Sequence, residues 1–154
     1  MSESINWTIK KFDELTPSEL YAILRLRSEV FVVEQNCVYL DLDDKDEHCH
    51  HLMGWKDKML VAYTRLVPPG ISYEYPSIGR VVTSPSARQS GFGRLLMERS
   101  IEETMRLFGT SPIRIGAQLY LQRFYTSLGF ITSSEIYLED GIEHIEMTGP
   151  MLNA

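Results

Sequence analysis

The sequence predicts a mixed α/β fold, and three features of the chain lead to that prediction. Its 154 residues have the length of one domain, which we expect to span residues 1–154 and to bury a core without disulfides or metal. A composition of 44% hydrophobic and 23% charged residues is typical of globular proteins. Segments with strand-like alternation and segments with helical spacing follow one another, with a βαβα unit in the middle and hairpins at both ends.

The chain is predicted to begin with a strand and a capped helix. Residues 5–10 alternate apolar and polar side chains, which is typical of a short strand. Thr16 has the position of a helix cap, a proline follows at the first helical position, and Glu19 completes a capping box. The apolar residues of this helix follow helical spacing and form one stripe, and Arg27 lies outside that stripe. Residues 30–35 are compatible with a second short helix.

The remaining elements follow from the same patterns. The predicted elements are strands at 52–55, 59–67, 78–83 and 113–117, helices at 91–108 and 119–128, and a final hairpin with strands at 131–138 and 143–148. The long helix has an apolar stripe that includes Leu95 and Phe108, and Gly109 ends it. Asp140 and Gly141 lie between the last two strands, which is a hairpin signal.

The charge distribution limits the classes of partner. The net charge is −6, which argues against a nucleic-acid surface. Residues 80–123 carry +4 and the rest of the chain −10, which favours a local anionic ligand over a polyanion. No apolar run is long enough to cross a membrane. Cys37 and Cys49 make no disulfide framework, and the first residues do not resemble a secretory signal. We therefore expect a cytoplasmic protein without a membrane partner.

The acidic loop, residues 36–51, contains five aspartate or glutamate residues and three histidines. Calcium binding of the EF-hand type is excluded, because Lys45 stands at the third ligand position counted from Asp41. One cysteine beside near-adjacent histidines is a poor zinc template. We predict a solvated loop that holds no metal, whose charge could instead attract a cationic acceptor.

A loop with two glycines lies between the predicted strand at 78–83 and the long helix. Glycine lets a backbone approach an anion closely, and a helix N-terminus attracts phosphate. Leu96 stands where a dinucleotide fingerprint needs a third glycine, and Arg94 stands where a Walker A loop needs lysine. The loop therefore predicts a phosphate site of another kind.

The segment RQSGFG at 88–93 resembles the pyrophosphate loop of the GNAT N-acetyltransferases, a superfamily that binds acetyl-CoA. In that family a strand about thirty residues further on leads into a helix that ends in an aromatic-Tyr-x-x-x-Gly-Phe run. The strand at 113–118 and the run FYTSLGF at 124–130 match both features. The segments LRSEVFVVEQ at 26–35, IGAQ at 115–118 and EDGIEHI at 139–145 further resemble the ElaA subfamily.

This resemblance implies the fold, the activity and a set of site residues. The fold would be a central twisted mixed β-sheet flanked by helices on both faces, and the activity N-acetyl transfer from acetyl-CoA to a small-molecule or peptide amine by direct attack. Tyr125 would be the general acid, since a phenol near pKa ~10 can protonate a thiolate near ~8.5. A backbone N–H near Val82 would polarise the thioester carbonyl. The residues that would contact the cofactor are Val81, Val82, Arg88, Gly91, Phe92, Gly93, Arg94 and Tyr125.

The residue that deprotonates the amine is left open. Glu34, Asp43 and His51 are the candidates, since carboxylates and imidazoles accept protons. Two alternatives also stand: a coenzyme A-binding regulatory module without activity, and a related acyltransferase, such as a lactone-signal synthase, with a non-amine acceptor. Tyr125 favours an enzyme over the silent module. The sequence does not decide the acceptor or the oligomeric state, so a homodimer is left open.

Overall fold

The computed structural model describes residues 5–88 and 91–150. In these ranges the strands form two sheets that follow one another along the chain. The first sheet contains β1 (Asn6–Lys11), β2 (His50–Lys56), β3 (Met59–Val67) and β4 (Ser77–Thr83). The second contains β5 (Ile113–Gln118), β6 (Ile131–Thr132), β7 (Tyr137–Glu139) and β8 (Ile142–Gly149). The α-helices are α1 (Pro17–Arg27), α2 (Phe92–Phe108) and α3 (Gln122–Ser127). The predicted mixed α/β class is confirmed.

The two sheets differ in how their strands are ordered. The strands of the first sheet lie in chain order, β1-β2-β3-β4. In the second sheet, β8 pairs with each of the other three strands, β5, β6 and β7. Every pairing between described strands is antiparallel. The sheets adjoin where β4 and β5 begin, because the N–H of Arg114 donates to the carbonyl of Pro76 at 3.0 Å. No further ladder joins β4 to β5 within the described ranges, and a cleft opens between them.

Helices α1 and α2 pack on opposite faces of the first sheet. The side chain of Thr16 accepts a hydrogen bond from the N–H of Glu19, so the predicted capping box is confirmed. Beyond α1, residues Ser28–Glu34 continue as a helical segment with π-type hydrogen bonds, where a second short helix was expected. The α1 face buries Ile23 and Leu26 against Tyr63 of β3. Residues 92–108 are too few and too polar to cross a membrane, and this holds for each helix that the structure describes.

Helix α2 buries a different stripe from the one that its apolar residues predict. Leu95 is 44% exposed, whereas Leu96 and Ser100 are fully buried against β3. Ser100 and Thr64 share a 2.8 Å hydrogen bond, so a polar pair lies where hydrophobic spacing indicates an apolar contact. The fully buried residues therefore lie beside the predicted stripe, of which Ile101 and Phe108 are partly buried against the core. The helix predicted at 119–128 is a short 3₁₀ turn followed by α3.

The acidic loop is folded against buried arginines, which corrects the prediction of a solvated loop. Arg27, predicted outside the apolar stripe of α1, is 0% exposed and donates to Asp41 and Asp46 at 2.8 Å each. Arg65 donates to both oxygens of Asp43 at 2.8 and 2.9 Å. The guanidinium groups replace water around these carboxylates, so the loop can be buried. This pairing joins the loop to α1 and β3.

Candidate active site

A cavity of about 990 Å³ opens in the cleft between β4 and β5. Its walls come from the helical segment Ser28–Glu34, the acidic loop, the first turn of α2, α3 and the turn between β7 and β8. Ligand sites in proteins are clefts of this size that bring a few polar groups together on apolar walls. The cavity is the candidate active site.

The first turn of α2 lies at one end of this cavity. Gly91 caps the helix with φ +83°, in the left-handed region that favours glycine. A Cβ added at Gly91 would meet no atom within 4 Å, and one added at Gly93 would lie 4.0 Å from the Phe124 ring. The space beside both glycines is therefore open, and the first N–H groups of a helix have no partners within the helix. Residues 89 and 90 of the predicted loop lie outside the described residues.

Strand β4 carries a bulge beside the cavity. Tyr63 pairs with Val82 and Arg65 pairs with Gly79, so two residues of β4 lie opposite one residue of β3. Arg80, the first of the two, has φ +51°, which is unusual for a residue with a side chain. A bulge bends its strand, and here it accompanies the separation of β4 from β5.

The two valines that follow Arg80 lie on opposite faces of the sheet. Val82 is buried in the α1 cluster, whereas Val81 packs toward α2. Both line the cavity. Their predicted contact with the pantetheine arm stays a prediction.

Arg88 and Glu34 form an ion pair at the cavity wall. Arg88 Nη1 donates to Glu34 Oε2 at 2.7 Å, and Nη2 donates to the other oxygen. The hydrogen bond from Arg88 lowers the pKa of the Glu34 carboxyl. A residue expected to contact the cofactor is thus bound to a residue expected to be the general base.

The side chains of the other two predicted cofactor residues of the helix are not part of the cavity lining. Arg94 pairs with Glu98 at 3.1 Å and donates to the Ser127 hydroxyl at 3.0 Å. Phe92 packs beside Leu96 over the first sheet. Neither side chain is among the cavity lining, so any contact they make with the cofactor would come from their backbone.

Tyr125 projects into the cavity from α3. It is 5% exposed and its ring packs edge-on against Phe124 and Phe130. Burial, and then the nearby Tyr120, raise the pKa of the Tyr125 phenol above its ordinary value, so the hydroxyl stays protonated at neutral pH. Among the described residues, none is recorded as hydrogen-bonded to this hydroxyl, and the groups that act on it are its buried surroundings and Tyr120. It is therefore free to donate to a ligand.

The remaining base candidates are both engaged by protein groups. Asp43 lines the cavity, but both of its oxygens accept from Arg65. Burial raises its pKa, and the hydrogen bonds and charge of Arg65 outweigh that effect and lower it. His51 is fully buried outside the cavity lining, with Nδ1 2.7 Å from the Tyr63 hydroxyl and Nε2 2.9 Å from the carbonyl of Asp46. Burial lowers its pKa. The geometry brings Glu34 and Asp43 to the cavity, and does not bring His51 there.

The positive charge of residues 80–123 is dispersed over the molecule. Six of its arginines contact a carboxylate or an aromatic ring, and only Arg88 among them lies at the predicted cofactor loop. The contacts are Arg80 with Asp41, Arg88 with Glu34, Arg94 with Glu98, Arg106 with Glu103, Arg99 with the Trp7 ring and Arg114 with the Tyr73 and Tyr75 rings. Local charge alone therefore does not define the ligand site.

Two residues of the site were not predicted from the sequence. Arg80 forms the bulge, and His144 lines the cavity from β8. The segment EDGIEHI at 139–145 was a signal for His144, but the sequence gives no sign that β8 lies beside β5. No group of three or more His, Cys, Asp or Glu side chains in residues 5–88 and 91–150 is arranged to hold a metal ion.

The cleft between β4 and β5 and the glycine-capped α2 define a class of protein. Residues 15–149 match the protein family described as "Acetyltransferase (GNAT) domain". The chain belongs to the GNAT acetyltransferase family. It is 43% identical over 152 residues to Protein ElaA of Escherichia coli (strain K12), a match that covers 97% of this chain and 99% of that protein. The predicted family and its ElaA subfamily are thus confirmed.

Solved structures agree with this assignment. An acyl-CoA N-acyltransferase from Pseudomonas aeruginosa is 48% identical, with a TM-score of 0.89 over 94% of this chain and 99% of that one. Escherichia coli ElaA is 42% identical, with a TM-score of 0.85 over the same shares of the two chains. The predicted fold is confirmed, and the protein is an acetyltransferase of the GNAT family.

Proposed function

We propose that this chain transfers the acetyl group of acetyl-CoA to a small-molecule or peptide amine by direct attack. The observation that carries the proposal is one cavity that is lined both by Gly93, in the first turn of α2, and by Tyr125 of α3. An anion-binding helix end and a proton donor are the two parts that a coenzyme A thioester needs at its two ends.

The cofactor end would use the backbone more than side chains. The N–H groups of Phe92, Gly93 and Arg94 would bind the pyrophosphate behind the Gly91 cap, where no side chain intervenes. Arg88 would add its charge after leaving Glu34. These roles require little side-chain movement apart from that of Arg88.

At the reacting end, the residues would hold the thioester and deliver a proton. Backbone groups of Val81 and Val82 would bind the pantetheine arm, and a backbone N–H near Val82 would polarise the carbonyl oxygen. Tyr125 would give its proton to the sulfur as the carbon–sulfur bond breaks. Cys37 and Cys49, both free and buried, support our inference that this happens in the reducing cytoplasm.

The test is a panel of amines incubated with the purified chain and acetyl-CoA. The panel contains amino acids, polyamines, aminoglycosides and short peptides, and both thiol release and the mass of the acetylated product are measured. The proposal expects at least one amine to gain the mass of an acetyl group in place of a hydrogen, with one acetyl group transferred for each thiol released. Tight binding of coenzyme A with no product from any amine would instead favour the silent regulatory module.

A further inference from the structure

His144 lies on β8, where it is paired with Gln118 of β5 and lines the cavity. The residue is 7% exposed. Its Nδ1 lies 2.8 Å from the backbone carbonyl oxygen of Ile142. Because a carbonyl oxygen can only accept a hydrogen bond, Nδ1 must carry the hydrogen. In the neutral ring the lone pair is therefore on Nε2.

A carboxylate faces that nitrogen. Glu139 Oε2 lies 3.4 Å from His144 Nε2, and the imidazole stacks on the Tyr137 ring with centroids 5.8 Å apart. A neutral Nε2 has no proton to offer the carboxylate. The contact becomes an ion pair only after Nε2 accepts a proton.

The other titratable groups around His144 come from three elements. Asp140, in the turn between β7 and β8, lines the same cavity, and its carbonyl accepts from the Cys37 thiol at 3.3 Å. The Tyr137 hydroxyl is hydrogen-bonded to the Tyr73 hydroxyl.

We propose that His144 is the general base of the transfer reaction, a proposal that rests on the proposed function. A neutral amine attacks the thioester carbon, and the carbon–nitrogen bond forms as the carbon–sulfur bond breaks. The electron pair of the broken bond goes to sulfur, which takes the proton of Tyr125. The surplus proton on nitrogen goes to His144 Nε2, beside Glu139. His144 then releases this proton to solvent, and Tyr125 regains one from solvent.

The geometry favours His144 over the residues that the sequence offered. Glu34 is bound by Arg88, Asp43 accepts from Arg65, and His51 has a protein partner on each ring nitrogen. His144 combines a fixed tautomer, a carboxylate 3.4 Å from the ring nitrogen that would take the proton, and a position on the cavity.

The first test measures the tautomer in the full chain without any substrate. Long-range ¹H–¹⁵N spectra of protein labelled in its histidines, assigned with His144→Gln, distinguish a proton on Nδ1 from one on Nε2. The proposal expects His144 to be in the Nδ1–H form when neutral. An Nε2–H form would overturn it, because that nitrogen could not accept a proton.

The second test measures how the rate of thiol release depends on pH. Water is the acceptor, so that no amine ionises in the measured range, and any amine found by the panel serves as a second acceptor. We expect the wild-type rate to fall at low pH, and this acidic limb of the profile should follow the protonation of a single group. In His144→Gln the acidic limb should be absent, and the rate should be about 10²–10⁴-fold lower than that of the wild type. His50→Gln is the same change at a histidine outside the cavity lining. This variant should keep the wild-type rate and the acidic limb.

Two outcomes separate this proposal from the proposed function. A wild type that turns over, with a folded His144→Gln that keeps its rate and its acidic limb, would overturn the role of His144 alone. A wild type that releases no thiol with water or with any amine would overturn both. If His144→Gln does not fold, as judged by circular dichroism, Glu139→Gln is measured instead. That variant should lower the rate of thiol release, because it removes the carboxylate 3.4 Å from the nitrogen that would take the proton, and an unchanged rate would contradict the proposal.

Discussion

Arg80 donates to Asp41 twice, from Nε to Oδ1 at 2.8 Å and from Nη2 to the backbone carbonyl at 2.7 Å. The pair joins the bulge of β4 to the acidic loop, and Asp41 also accepts from Arg27 at 2.8 Å. Arg80 has a positive φ, a conformation that persists only where its surroundings hold it. The shape of the cavity wall therefore depends on a carboxylate 39 residues earlier in the chain.

We predict that Asp41→Asn lowers the free energy of unfolding by about 1–3 kcal/mol, because it removes the charge from one of the two carboxylates that bind buried Arg27. Urea denaturation measures this loss. Asp44→Asn is the matched control, since Asp44 is exposed and should change stability by less than about 0.5 kcal/mol. Equal stabilities of the two variants would contradict the buried network.

Acid should destabilise the protein through the same network. Burial raises the pKa values of Asp43 and Asp46, but their arginine partners outweigh burial and lower both. Because the folded values lie below the unfolded ones, this stability is fully present above about pH 4 and is lost as pH falls further. Urea midpoints between pH 7 and pH 2.5 should therefore stay level and then drop. Asp43→Asn should make the drop shallower, and an unchanged profile would exclude Asp43 as a contributor.

Gly91→Glu should reduce coenzyme A binding below detection by calorimetry. A carboxylate would lie where the pyrophosphate is expected, at the same helix end. Because Gly91 has φ +83°, any side chain there adds strain of roughly 1–2 kcal/mol. Gly91→Ala is therefore the control, with the same strain and no charge. It should bind coenzyme A, and wild-type affinity in Gly91→Glu would refute the predicted cradle.

The purified protein should contain no stoichiometric zinc or calcium. The aspartates of the acidic loop that the structure describes as buried are bound to Arg27, Arg65 and Arg80, which leaves their oxygens little freedom to bind a cation. Elemental analysis measures the metal content, and a chelator should leave the melting temperature unchanged. One tightly held metal per chain would contradict this prediction.

The sequence predicted what local patterns decide. The capping box at Thr16, the glycine ends of α2 and the hairpin turn at Asp140 each depend on neighbours within a few residues, and the structure has all three. Cofactor-loop residues could be proposed because the glycine pattern is also local.

The rest depends on contacts between distant segments. Nothing local distinguishes Arg27, which is buried against Asp41, from a solvated arginine. Ser100 is buried on α2, where it shares a hydrogen bond with Thr64, and hydrophobic spacing gives no sign of a buried polar pair. His144 becomes a site residue only because β8 pairs with β5, which the order of elements leaves undetermined.

The central claim is that acyl transfer occurs in this cavity with Tyr125 as proton donor, and single-turnover measurement of Tyr125→Phe tests it most directly. The change removes one hydroxyl from a ring that keeps its packing against Phe124 and Phe130. We predict a 10²–10⁴-fold slower chemical step with coenzyme A affinity near that of the wild type. Tyr21→Phe, at a tyrosine that is 73% exposed, should leave both quantities unchanged. Wild-type turnover from a folded Tyr125→Phe protein would contradict the mechanism.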